Sequence, residues 1–115
     1  MQVLESGAAE LAPEFGILAG RWERQYAALG DMPFGAMWCV VPPGEKSDVD
    51  RHPERELVVF VAGEAAVHAR GRAEPVGAGS AVLMDGEEEH VIVNTGGEPV
   101  VMLSVYWLPE GTDGD

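Results

Sequence analysis

The apolar residues of this chain come in short runs, and glycine or proline closes each run within two residues. Ala36-Met-Trp-Cys-Val-Val41 ends at Pro42-Pro43-Gly44. Leu57-Val-Val-Phe-Val-Ala62 ends at Gly63-Glu64, a tight turn into Ala65-Ala-Val-His-Ala-Arg70. Ser80-Ala-Val-Leu-Met84, His90-Val-Ile-Val-Asn94 and Val100-Val-Met-Leu-Ser-Val-Tyr-Trp107 complete the series. Such runs are too short for helices and rich in strand-favouring side chains. Many short strands with regular turn signals predict an all-β sandwich or barrel. Arg21–Leu29 reads as a further strand, ended by Gly30-Asp-Met-Pro33. Residues 5–19 mix Ala, Glu, Leu and Pro13, which suits either a short helical turn or an irregular cover.

With 115 residues and 46% hydrophobic content, the expectation is one globular domain over residues 1–115. No repeat or linker divides it. The acidic, glycine-bearing stretch 109–115 is expected to fray. A net charge of −13, from 7 basic and 20 acidic residues, repels nucleic-acid backbones and anionic membranes, so neither is an expected partner. No apolar run approaches the ~20 residues of a membrane helix, and the N-terminus lacks the pattern of a secretion signal. Cys39 is the single cysteine, so no internal disulfide can form, and a cytoplasmic location is the default expectation. Flanked by Trp38 and Val40, Cys39 reads as a small buried hydrophobe.

Against this frame of strands, four residues carry the chemistry: Asp50, His52, Glu56 and His90. Two imidazoles and two carboxylates beside strand-like runs suit a divalent transition metal. Alternation along a strand would put Asp50 and His52 on one face, while His90 must approach from across the fold. The mixed nitrogen and oxygen set favours iron(II), manganese or zinc over copper.

The spacing of these residues resembles the two motifs of the cupins. Gly44, His52, Glu56 and Gly63 fall on the first motif, with Asp50 where the family's first histidine stands. Gly79, His90 and Asn94 fall on the second, with Asp85 and Glu87 in place of its proline and glycine. The resemblance spans motifs at 44–63 and 79–94, and implies a jelly-roll β-barrel with a metal inside one mouth. The implied ligands are His52, Glu56 and His90. Asp50 either joins them through oxygen or replaces Glu56. One divalent metal is implied, zinc or iron(II) equally, with manganese or nickel as alternatives.

The family further implies a metal-dependent enzyme of the dioxygenase or isomerase and lyase type. Its substrate would be a small polar metabolite of biosynthetic or secondary metabolism. The alternative is a non-catalytic sensor or ligand-binding barrel, or the partner of a larger enzyme. A homodimer is implied by resemblance alone. Trp22, Arg24 and Tyr26 would share one face of the strand expected at 21–29, where either Arg24 orients an anionic group or Trp22 and Tyr26 pack in the core while Arg24 reaches solvent. Arg24, Tyr26 and Tyr106 are therefore the catalytic candidates. Trp38 and Ser104 lie on runs expected to line the same cavity. Glu87-Glu88-Glu89 reads as a solvated turn, and His68 as a surface histidine.

Overall fold

A computed structural model describes residues 1–5 and 11–109. Among the described residues, nine strands form two sheets. They are β1 (Ala12–Glu14), β2 (Ile17–Arg21), β3 (Gly35–Val41), β4 (Arg55–Ala62), β5 (Glu64–Ala69), β6 (Arg72–Gly77), β7 (Ala81–Met84), β8 (His90–Asn94) and β9 (Val100–Trp107). The larger sheet runs β1-β2-β3-β9-β4-β7 and the smaller β6-β5-β8. Every named pairing is antiparallel.

Alternation explains the core. In the larger sheet Ile17, Ala19, Cys39, Val41, Val58, Phe60, Met84, Val100 and Met102 point inward. They meet Ala65, Val67 and Ile92 of the smaller sheet. The apolar runs of the sequence become strands because every second residue finds this shared interior. The chain changes sheet at Gly63, whose φ of +88° and close approach to the Pro99 carbonyl leave no room for a side chain.

Two sequence expectations need correction. Arg21–Leu29 is not a strand: β2 ends at Arg21, a one-turn helix α1 spans Trp22–Gln25, and a 3₁₀ turn follows at Ala27–Leu29. Glu23, Arg24 and Gln25 are good helix formers, and Trp22 and Tyr26 pack edge to face with centroids 5.7 Å apart. The N-terminal stretch holds neither a helical turn nor a plain cover over its described residues. Ala12–Glu14 and Ile17–Arg21 form a hairpin turning through Phe15 and Gly16, both at positive φ. Residues 6–10 of that stretch lie outside the described residues. The sequence carries no strand signal for β6, whose first four residues, Pro75 among them, are exposed and show no apolar alternation. This is an edge strand, the place where a sheet tolerates proline. Of the stretch expected to fray, 110–115 lies outside the described residues.

Candidate metal centre

The site is assembled where the two sheets part at one end. Residues 45–50 run beside β8, on the edge that β5 leaves free. Asn94 N–H donates to the Glu45 carbonyl (3.0 Å) and Ser47 N–H to the Ile92 carbonyl (2.9 Å). Asp50 and His90 exchange both backbone hydrogen bonds at 3.1 Å. Asp50 is thus the direct cross-strand partner of His90. His52 follows in a loop, whose carbonyl accepts the Glu87 N–H at 2.7 Å. Glu56 is the second residue of β4 and points inward, opposite Tyr106 of β9 and Met84 of β7. Asp50 and His52 do come together, but through this loop rather than on one continuous strand.

The side chains converge. His52 Nε2 lies 3.1 Å from Glu56 Oε1 and 3.7 Å from Asp50 Oδ2. His90 Nε2 lies 3.4 Å from the same Glu56 oxygen and 3.9 Å from the same Asp50 oxygen. The rings stand edge to face, 5.4 Å apart. Asp50, His52 and His90 each offer an atom within 4.8 Å of the others, a grouping that could hold a metal ion.

The tautomers are fixed from behind. His52 Nδ1 meets the Glu54 carbonyl at 3.0 Å, and His90 Nδ1 meets the Glu88 carbonyl at 2.9 Å. A carbonyl can only accept, so each Nδ1 carries a proton, and in the neutral form of either ring Nε2 turns a bare lone pair to the centre. Lone pairs of two imidazoles then face carboxylate lone pairs at hydrogen-bonding distance. Only a proton or a cation can relieve that opposition. Ligands about 2.1 Å from a transition metal stand roughly 3–3.6 Å from one another. The Glu56 spacings, 3.1 and 3.4 Å, fall in that range, the Asp50 spacings, 3.7 and 3.9 Å, lie just beyond it, and two carboxylates would balance a divalent charge.

Protonation is biased accordingly. Burial pushes the His90 pKa down, but the bonds to Glu56 and the Glu88 carbonyl, with the charges of Glu56 and Asp50, outweigh it and raise the value. Burial pushes Glu56 up, yet bonds from His90 and the Ser104 hydroxyl, the His90 charge and the bond from His52 bring it below the ordinary range. Glu56 is 7% exposed and Ser104 2%, so this carboxylate keeps its charge deep in the fold only through those partners.

A cavity of about 160 Å³ opens beside the centre, lined by Phe15, Arg21, Met37, Asp50, His52, Glu54, Glu56 and Tyr106. Arg21 lines this cavity without any sequence signal that singles it out. It ends β2 on the inward register with Ala19. Its Nη1 donates to the Tyr106 hydroxyl at 2.9 Å, its Nη2 to Glu14 at 2.7 Å, and its buried Nε has no partner among the described residues. Tyr106 therefore keeps its own proton free to donate. Burial pushes its pKa up, and the bond from Arg21 only partly offsets this. The ring lies where a side chain at Gly35 would stand, 2.0 Å from an added Cβ.

Other candidates are placed elsewhere. Arg24 is exposed on α1. Tyr26 is buried, but on the outer side of β3, where its hydroxyl accepts from Trp38 Nε1 at 2.8 Å and donates to the Glu5 carbonyl. Neither lines the cavity. Trp38's strand lines the cavity as expected, but Trp38 itself stands one residue out of phase with Met37 and Cys39 and faces away from the interior. Ser104 does face inward. The Cys39 thiol is pushed up to about 12 by burial and the Glu56 charge, which leaves it protonated. Asn94 is structural: its amide donates to the Val41 and Glu98 carbonyls (2.9 and 2.8 Å) and accepts from Gly96 N–H (2.9 Å).

This architecture and its matched motifs define a cupin. The family model for the cupin domain matches residues 37–106, and the chain belongs to that family. No curated protein matches the sequence. Among solved structures, a cupin 2 conserved barrel domain protein from Salinispora arenicola is 29% identical, with a TM-score of 0.83 over 93% of this chain and 88% of that one. A protein from Photorhabdus luminescens is 24% identical (TM-score 0.81, covering 96% and 88%). A predicted oxalate decarboxylase from Thermotoga maritima is 24% identical (TM-score 0.73, covering 94% and 100%). The last two likenesses extend to the fold alone.

Proposed function

We propose that Asp50, His52, Glu56 and His90 hold one divalent transition metal, zinc or iron(II) foremost. On this reading the protein is a metal-dependent enzyme acting on a small polar metabolite. The observation that carries it is the pair of Nδ1-anchored imidazoles, whose Nε2 atoms converge on one buried carboxylate. A support behind each histidine, as the Glu54 and Glu88 carbonyls provide, is the usual partner of a metal-ligating imidazole.

The metal would supply Lewis-acid or oxygen chemistry. The chain's own residues do the rest. Glu56 is held charged and immobile by Ser104. Arg21 fixes the Tyr106 hydroxyl at the cavity wall, so that its proton is offered to an acceptor on a bound molecule. The cavity, about 160 Å³ in volume, suits a compact molecule. Phe15 and Met37 line part of the wall and exclude water there.

Elemental analysis of protein purified without chelator or nickel tests the reading. About one metal per chain is expected, falling sharply in His52→Ala and His90→Ala. Wild-type and variant protein with equally little metal would refute it. Native-metal protein that binds a small molecule but never consumes it would make the protein a sensor instead.

A further inference from the structure

The turn before His90 departs from the family's second motif at Asp85 and Glu87, and both residues meet arginines. Asp85 lies between Arg55 of β4 and Arg70, the residue after β5, at 3.3 and 3.5 Å. It therefore ties the turn to both sheets. Glu87 pairs with Arg51 at 3.2 Å and holds a φ of +65°, the backbone region where the motif's glycine is at ease. A Cβ at Gly86 would come within 2.4 Å of the Pro53 carbonyl oxygen, so the turn lies directly against the segment that carries His52. Of the three consecutive glutamates, Glu88 alone folds inward, its side chain 11% exposed against 57% for Glu87. One Glu88 oxygen pairs with Arg70 Nε, and the other accepts the Asp85 N–H at 3.2 Å. The Glu88 backbone carbonyl is the one that meets His90 Nδ1 at 2.9 Å.

When the His90 ring is neutral, two acceptors compete for its one proton. The Glu88 carbonyl draws it to Nδ1, and the Glu56 carboxylate, 3.4 Å from Nε2, draws it to that side. A carboxylate is the stronger acceptor, and a proton on Nε2 occupies the lone pair that a metal needs. The carbonyl wins only if it is held where Nδ1 meets it. We propose that Glu88 is a positioning residue for His90. Anchored to Arg70 and to the Asp85 N–H, its side chain fixes its own carbonyl behind the ring, and so keeps Nε2 bare. A carboxylate so far withdrawn from water needs a charged partner to stay there, and Arg70 supplies it. The use of this device rests on the metal-centre reading, but the place of the proton is read without metal.

Nitrogen-15 NMR of the imidazoles in the metal-free full chain, at a pH above the His90 titration, tests the proposal alongside zinc titrations against a competing chelator. Wild type is expected with the His90 proton on Nδ1. Glu88→Gln removes the charge yet leaves an oxygen for the Asp85 N–H, and Arg70→Gln removes the same pair from the other side. Each is expected to move the His90 proton toward Nε2 and to weaken zinc binding by about tenfold, while His52 keeps its proton on Nδ1. The double variant is expected to be no worse than either single one, because both changes break one pair. Arg70→Lys is expected to restore the wild-type proton position. Should Glu88→Gln fail to fold, Arg70→Gln decides alone, since that side chain is 67% exposed. A purely structural role would lower the melting temperature and leave the proton on Nδ1 in both glutamine variants, and that result would overturn the proposal. So would a wild-type ring protonated on Nε2, or losses that add in full. Wild type that takes up no zinc, yet loses its Nδ1 proton in both variants, would end the metal reading and leave this one standing.

Discussion

Proton and metal compete for one lone pair, and the competition can be weighed. Without metal, His90 Nε2 faces the Glu56 and Asp50 carboxylates at 3.4 and 3.9 Å, and its pKa is raised. Glu56 has a lowered pKa, so it stays ionised near neutrality and the shared proton resides on the imidazole. Metal must displace that proton. Below the raised pKa, apparent affinity should climb about tenfold per pH unit, ~1.4 kcal/mol each. Above it, affinity should level off. The stability of the metal-free protein should move the opposite way. A raised histidine pKa contributes stability that is fully present below the unfolded value near 6.5 and is lost as pH rises through the folded one. Metal-free and metal-saturated melting temperatures should thus diverge as pH increases. Calorimetric zinc titrations from pH 5.5 to 8.5, in buffers of differing ionisation enthalpy, give both the affinity and the protons released. About one proton per metal is expected at the acid end. Affinity that is flat across the range, or that falls with pH, would refute the reasoning.

Glu56→Gln and Asp50→Asn should each weaken metal binding by at least about tenfold. The larger loss is expected at Glu56, whose oxygen is nearer both imidazoles and lies in a buried setting; chelator competition giving the reverse order would contradict the geometry. Tyr106→Phe should leave metal content unchanged and cost about 1 kcal/mol, because Arg21 loses one acceptor; loss of metal would bring Tyr106 into the ligand set. Asn94→Ala should cost about 3 kcal/mol in urea unfolding, since it strands the buried Val41 and Glu98 carbonyls and the Gly96 N–H. A change below about 1 kcal/mol would show that water replaces the amide.

Strand content was legible where side-chain chemistry and backbone need coincided. β8 and β9 appear with the bounds that their apolar runs suggest, and β3, β4, β5 and β7 within two residues. Those segments bury alternate residues, and alternation is visible in a sequence. The Arg21–Leu29 reading failed because Trp22 and Tyr26 have the spacing of a strand face yet also lie one helical turn apart. Packing against Trp38 settled the matter, and that is a tertiary fact. The same error hid Arg21: only a strand ending there aims its side chain inward. Trp38 illustrates register, since a shift of one residue exchanges cavity for exterior. At the centre, motif spacing brought out His52, Glu56 and His90. What it could not supply was the backbone pairing that sets Asp50 directly against His90, or the carbonyls that fix both tautomers.

The most direct measurement is anomalous diffraction from a zinc- or iron-loaded crystal. The account predicts one strong peak between His52 Nε2 and His90 Nε2, in contact with the Glu56 or Asp50 carboxylate. A loaded crystal with its peak elsewhere, or with the two imidazoles turned away from it, would contradict it.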